Sequence, residues 1–188
     1  MAKRHHQMKR RPDYRIPASA AKNLDGDTLV WAVIEPMWDD LNFYEDWGRV
    51  EKFMKAVTPG QGAMISIWWC ESEVCNGGFE QFFSNSTGML AEPALKGFRL
   101  VGADHYSDLL WQAMSIFAGT KRLRNRRKRN EALYAEPYKE RLAFLRSLDD
   151  QFYKLLKAKK TELFRICVRY IRSHPSEFFL ESAASLNG

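Results

Sequence analysis

A carboxylate and three carboxamides, Glu73, Asn76, Gln81 and Asn85, flank the Gly77-Gly78 pair of a 188-residue chain. Glycine tolerates positive φ and close backbone approach, so the pair predicts a stop or sharp bend between two helices. Folding those helices together brings the four polar side chains near one another. The constellation admits two readings. In one it is a ligand or catalytic site, with Glu73 as acid and base and the amides orienting a substrate. In the other it is a buried polar network that locks the bend, because buried amides require hydrogen-bond partners. Phe79, Phe82 and Phe83, at spacings of three and four, and the tryptophans before them favour a core location and hence the network.

No other stretch carries a catalytic signature. There is no phosphate-binding loop, nucleophile elbow, HExxH helix or dinucleotide fingerprint, and Gly60-Gln61-Gly62 belongs to a helix start. His5 and His6 lie in a polar arm, His105 near a helix start and His174 before Pro175, none with a partner at ligand spacing. Cys70, Cys75 and Cys167 match no zinc or CxxC pattern, and free cysteine behaves mainly as a small buried hydrophobe. The reading assigns no catalytic residue, no metal and no cofactor, and leans against an enzyme. The cysteines suit a reducing compartment, and the basic start lacks the apolar stretch of a secretory signal. No apolar run approaches the roughly 20 residues that span a bilayer. A cytoplasmic protein without membrane association is expected.

The net charge of +6 conceals a segregation. Residues 1–22 carry +6 and residues 121–129 (KRLRNRRKR) carry +7, whereas residues 23–120 carry −9 and residues 130–188 carry +2. Two short basic segments thus account for the basic balance, and the first half of the folded body is acidic. Cations gain affinity for nucleic acid by releasing phosphate counterions. Arg10 and Arg11 in the arm, with Lys121, Arg122, Arg124, Arg126, Arg127, Lys128 and Arg129 in the cluster, are the candidate contacts. Against this stands a solvated tail and an exposed helix face, since no RNP-like motif, recognition helix or zinc finger accompanies them.

The elements that must position these groups read as helices. Residues 1–22, polar and broken by Pro12 and Pro17, are expected to be a disordered basic arm, and residues 23–188 one compact domain. Asp27 or Thr28 offers an N-cap for residues 29–41, which Pro36 kinks or restarts. A second helix is predicted from about Glu45 to Val57. Thr58, Pro59 and Gln61 form a capping-box start for residues 63–75, which are apolar nearly all round through Cys70, the pattern of a central pillar. Gly88 is expected to end the helix after the bend. Glu92-Pro93 opens the next one and Gly102 stops it; Asp104 caps another, which Gly119 closes. Glu136-Pro137 starts residues 138–148, Asp149, Asp150, Phe152 and Tyr153 form a junction, Thr161 caps residues 162–174, and residues 176–184 make a short closing helix. No alternating strand pattern or fixed repeat is present. The fold class is all-α, with about eight helices.

Residues 73–88 (EVCNGGFEQFFSNSTG) resemble the hallmark of the DNA-mimic protein family, a bacterial helical domain. The IEPMW segment (residues 34–38), the TPGQ start (58–61), GFRLVGA (97–103), LDDQFYKL (148–155) and YIRSHPSEF (170–178) are similar as well. Together they cover roughly residues 28–180 in order and leave the arm outside. The resemblance implies an all-helical, often self-associating domain; the family's best-known member is described as imitating DNA with an acidic surface and binding a transcription factor in place of its operator. Such mimicry needs carboxylates spaced like phosphates, and no residue set transfers for it. The chain departs from that pattern in its basic balance, because the arm and the cluster oppose the field of a DNA imitation. The expectation is a protein-interaction module, a regulator that engages a DNA-binding protein through the acidic face of residues 23–120, with a homodimer in view. Nucleic-acid association through the basic segments, and a ligand site at the Gly-Gly motif, remain the alternatives.

Overall fold

The computed structural model describes residues 13–41, 46–117, 119, 123–158 and 162–180. Among them are ten α-helices, eight of at least seven residues, and one pair of two-residue strands, so the fold is all-α. The strands, β1 (Ile16–Pro17) and β2 (Phe179–Leu180), pair in parallel with Ile16 opposite Phe179. Next to β1 lies the single turn α1 (Ala18–Ala21), with Ala21 fully buried. Tyr14 is buried too and donates from its hydroxyl to Asp40 Oδ2 at 2.7 Å. The second half of the expected disordered arm is therefore part of the folded body. Residues 1–12, including Arg10 and Arg11, lie outside the described residues.

Helix α2 (Gly26–Ile34) starts after Asp25 rather than at Asp27 or Thr28, and Pro36 restarts the chain as a 3-10 turn, Glu35–Met37. Helix α3 (Trp47–Ala56) is capped by Asp46, whose side chain accepts from the Arg49 N–H. The pillar α4 (Pro59–Ser84) is two helical segments that meet at a kink, where Gly77 and Gly78 leave helical geometry as the Gly-Gly pair predicts. It ends at Ser84, and Gly88 lies within a following 3-10 turn, Ser86–Leu90, instead of ending the helix. Helix α5 (Ala91–Val101) packs along α4, where a Cβ on Gly97 would stand 3.1 Å from Ala63 Cα; two backbones meet there because glycine leaves the space. Gly102 stops α5 in the left-handed region at φ 78°.

Helix α6 (Asp104–Met114) begins at Asp104 itself, with Ala103 in the cap position. Helix α7 (Arg126–Leu133) carries four of the seven cations of the basic cluster and is capped by the Asn125 side chain. Helix α8 (Tyr138–Ala158) is continuous, so the junction expected at Asp149–Tyr153 is interior helix. Its apolar positions at helical spacing, Leu145, Leu148 and Phe152, are buried against the pillar, and that face outweighs the two aspartates as a break signal. Helix α9 (Glu162–Ser173) packs on α2, and α10 (Pro175–Phe178) is one turn that gives way to β2 rather than a longer closing helix. Thr161, expected as a cap, and residues 181–184 lie outside the described residues. The core surrounds α4, whose Met64, Ile65, Cys70, Val74, Phe79, Phe82 and Phe83 have no measurable exposure. No described helix is long and apolar enough to cross a membrane.

Candidate functional site

Every discontinuity of α4 is met by polar side chains from a distant part of the chain. At its start, the Thr58 hydroxyl accepts from the Gln61 N–H and the Gln61 side chain accepts from the Thr58 N–H, both at 3.1 Å. This is the capping box read from the sequence. Glu177 of α10 adds a carboxylate that accepts from the Gly60 N–H and, at 2.9 Å, from the Tyr170 hydroxyl. Negative charge there complements the positive end of the helix dipole. The TPGQ and YIRSHPSEF segments are thus two sides of one joint.

The second joint is the bend. Gly77 has φ −156° and ψ 26°, and Gly78 has φ 74° and ψ −177°, a conformation essentially confined to glycine. Two residues one helical turn apart on α8 serve the backbone around it. Asp149 Oδ1 accepts from the Phe79 N–H at 2.7 Å. The Tyr153 hydroxyl donates to the Val74 carbonyl at 2.7 Å and faces the Gly78 N–H. A Cβ on Gly78 would fall 2.3 Å from Asp149 Oδ2, so the carboxylate occupies the room that the missing side chain leaves. Burial lifts the pKa of Asp149, and the Phe79 N–H opposes that rise.

Beyond the bend the chain folds back on Glu73, which is 9% exposed. Its Oε2 accepts from Gln81 Nε2 at 2.7 Å and Asn85 Nδ2 at 2.9 Å, and its Oε1 from the Thr87 hydroxyl at 2.7 Å. Three of the four expected polar groups therefore meet. Asn76 does not join them, and it is exposed. Thr87 was missed, although it stands inside the hallmark stretch. Phe79, Phe82 and Phe83 are fully buried, and Phe79 meets Phe152 edge-on at 5.8 Å. With both carboxylate oxygens accepting from side chains of its own segment, Glu73 is engaged as a tether; the geometry leaves little for a substrate to claim.

The third joint is the end of α4, and it belongs to the basic cluster. Arg129, read as one cation of an exposed group, is 0% exposed and cannot reach a phosphate. Its guanidinium donates to the Phe83 carbonyl at 2.8 Å, to the Asn85 carbonyl at 2.6 Å, and to the Leu123 carbonyl. Arg126 donates to the Ser84 carbonyl at 2.8 Å. A helix leaves its last carbonyls without internal partners, and cations complement that negative end. Arg124 pairs with Glu92 at 3.2 Å and lies 4.6 Å from the centre of the Trp47 ring. Arg127 pairs with Glu131 on the surface, and Lys128 is exposed. Lys121 and Arg122 lie outside the described residues. Arg129 from inside the fold and Arg126 from its surface thus clamp the end of the pillar, while Arg127 and Lys128 face solvent.

The acidic half behaves differently. Between residues 23 and 46 the chain has seven acids and no base. Asp25, Asp27, Glu35 and Asp39 are exposed on α2 and the turn after it, and none has an ion-pair partner among the described residues. Farther along, Asp46, Glu51 and Glu92 are paired with Arg49, Lys55 and Arg124, whereas Asp104 and Asp108 on α6 are exposed with no ion-pair partner among the described residues, so the α2 end is the larger of two unbalanced acidic stretches in this half. Among the described residues no group of three or more His, Cys, Asp or Glu could hold a metal ion. Cys70 and Cys167 are buried as expected for small apolar side chains, whereas Cys75 is exposed and donates to Glu71 at 3.3 Å.

Residues 55–174 match the model of a family described as DMP19-like protein; the match spans the pillar, its bend and its end, and all of the first joint but Glu177. No curated protein matches the chain, and no solved structure does.

Proposed function

We propose that this chain, which belongs to the DMP19-like family of DNA-mimic proteins, is an interaction module that engages a basic, DNA-binding protein through the carboxylates around α2. One observation carries the reading. Asp25, Asp27, Glu35 and Asp39 are exposed with no ion-pair partner among the described residues, while Arg129 is buried in the fold and Arg124 and Arg126 are held at its surface by Glu92 and the Ser84 carbonyl. The basic balance of the sequence therefore overstates the positive field that a partner meets near this surface. The same placement weakens direct nucleic-acid binding, since Arg129 is buried, Arg124 and Arg127 are paired with Glu92 and Glu131, Arg126 is held by the Ser84 carbonyl, and Lys128 stands exposed with no ion-pair partner among the described residues. The closed hydrogen bonding of Glu73 weakens the ligand-site reading. The role puts the protein in the compartment of its DNA-binding partner.

Affinity purification from the source cells with full-length protein, compared with an Asp25→Asn, Asp27→Asn, Glu35→Gln, Asp39→Asn variant, tests the reading. A nucleic-acid-binding protein should be retained by the first, leave the resin as salt rises, and be missing from the second. Retention of the same proteins by both would contradict it. Sedimentation of the purified chain reports in parallel whether two copies associate.

A further inference from the structure

Two clefts flank α5 on the outside of the fold. One, about 460 Å³, opens between α3, the start of α4 and α5. The other, about 350 Å³, opens between α5 and α6. Glu92 and Lys96 line both, so the two clefts adjoin across α5 and make one furrowed surface. Its walls are apolar, and they hold two of the most exposed large apolar side chains among the described residues: Leu100, 44% exposed, and Trp111, 58% exposed. Isolated exposed apolar residues are ordinary, but two on the rims of one concave surface mark an interaction site.

The charge of the furrow runs against its surroundings. Residues 23–120 contain only five bases, and three of them, Lys55, Lys96 and Arg99, line it, joined by Arg124. Lys55 and Arg124 are balanced by Glu51 and Glu92 in the same walls. Lys96 and Arg99 are exposed, with no ion-pair partner among the described residues. They sit on the outer side of α5 between the two rims.

We infer that the furrow along α5 docks an acidic peptide segment that carries an aliphatic or aromatic anchor. Lys96 and Arg99 receive the carboxylates, and the anchor lies between Leu100 and Trp111. A nucleic acid fits less well, because Glu51 and Glu92 stand in the walls where its phosphates would run and the lining is aliphatic and thioether as much as aromatic. The furrow is distinct from the α2 carboxylates and opposite to them in sign. The module then has two faces, one for a basic partner and one for an acidic one, and this inference stands whether or not the first holds.

The test uses the full chain and a labelled synthetic peptide of Asp and Glu with leucines at helical spacing, read by fluorescence anisotropy. Control probes are the same peptide with serine in place of leucine, and single-stranded oligothymidine. Saturable binding of the leucine peptide is expected, weakened about tenfold by Lys96→Glu with Arg99→Glu, since two exposed charges each contribute up to about 1 kcal/mol. A similar loss is expected for the serine peptide. Both substituted residues are exposed, and an unchanged helical spectrum and melting curve confirm the fold of the variant. Absence of saturable peptide binding, an unaltered affinity in the double variant, or tighter binding of oligothymidine would each overturn the inference. So would a self-association of the chain that the double variant abolishes, because a second copy would then own the furrow.

Discussion

If α8 holds the bend of the pillar, Asp149→Ala and Tyr153→Phe should weaken folding by amounts that the local hydrogen bonds set. Asp149 is nearly buried and gives the Phe79 N–H its partner at 2.7 Å. A hydrogen bond to a charged group contributes about 1.5–3 kcal/mol, and a buried N–H left behind carries a penalty of similar size. Part of that gain is offset in the wild type by desolvation of the carboxylate, so a loss of about 2 kcal/mol is expected for Asp149→Ala. Tyr153→Phe removes a neutral bond to the Val74 carbonyl in a half-buried setting, and a loss of about 1 kcal/mol is expected. Because both act on one backbone break, the double variant should lose less than the sum, by about 0.5–1 kcal/mol. Urea unfolding followed by circular dichroism measures all three, with an unchanged denaturant slope as the check that only stability has moved. Gly78→Ala should be worse than either, about 3 kcal/mol or more, since it meets both the φ of 74° and the Asp149 carboxylate. An Asp149→Ala protein within about 0.5 kcal/mol of the wild type would refute the reasoning, because surface changes without structural role fall in that range.

Other outcomes follow from the same contacts. Burial raises the pKa of Asp149 in the folded state, so its contribution to stability is full at low pH and is lost as pH rises through that raised value. Asp149→Asn, neutral throughout, should therefore gain on the wild type in paired urea titrations as pH rises from the ordinary carboxylate range through the raised native value. Glu73→Gln sets an amide NH₂ among the donors of Gln81, Asn85 and Thr87 and should lower stability by about 2 kcal/mol, or the melting temperature by roughly 4–8 °C. An unchanged melting curve would return Glu73 to the ligand-site reading. Arg129→Met should lose about 3 kcal/mol or more, whereas Lys128→Ala should stay within about 0.5 kcal/mol. Equal effects would dissolve the division of the basic cluster into an inward clamp and a solvated face.

What was legible in the sequence was local. The capping box at Thr58, the interruption at Gly77-Gly78 and the stop at Gly102 each follow from a residue type whose backbone preference suffices, and the structure has all three. Apolar periodicity likewise gave the all-α class and the pillar. The partners of the joints were not legible, because they come from far along the chain. Asp149 and Tyr153 looked like a junction, yet their spacing of four puts both on one helix face, the only hint that they act together. Arg129 looked like surface charge, since nothing in a run of seven cations marks the one that points inward. Its position beside Leu133 at helical spacing is the single local signal, and it was weak. The amount of the N-terminal arm that folds was misjudged for the same reason: Tyr14 and Ile16 are held by Asp40 and Phe179, neither of them near in sequence.

The proposed role, in which the carboxylates around α2 occupy a DNA-binding protein in place of DNA, is open to a competition measurement: a labelled duplex held by the co-purified partner, titrated with this protein and read by anisotropy. The wild type should release the duplex, while the variant neutralised at Asp25, Asp27, Glu35 and Asp39 should not. A duplex that stays bound in a complex of all three, or one that binds this protein directly, would contradict it.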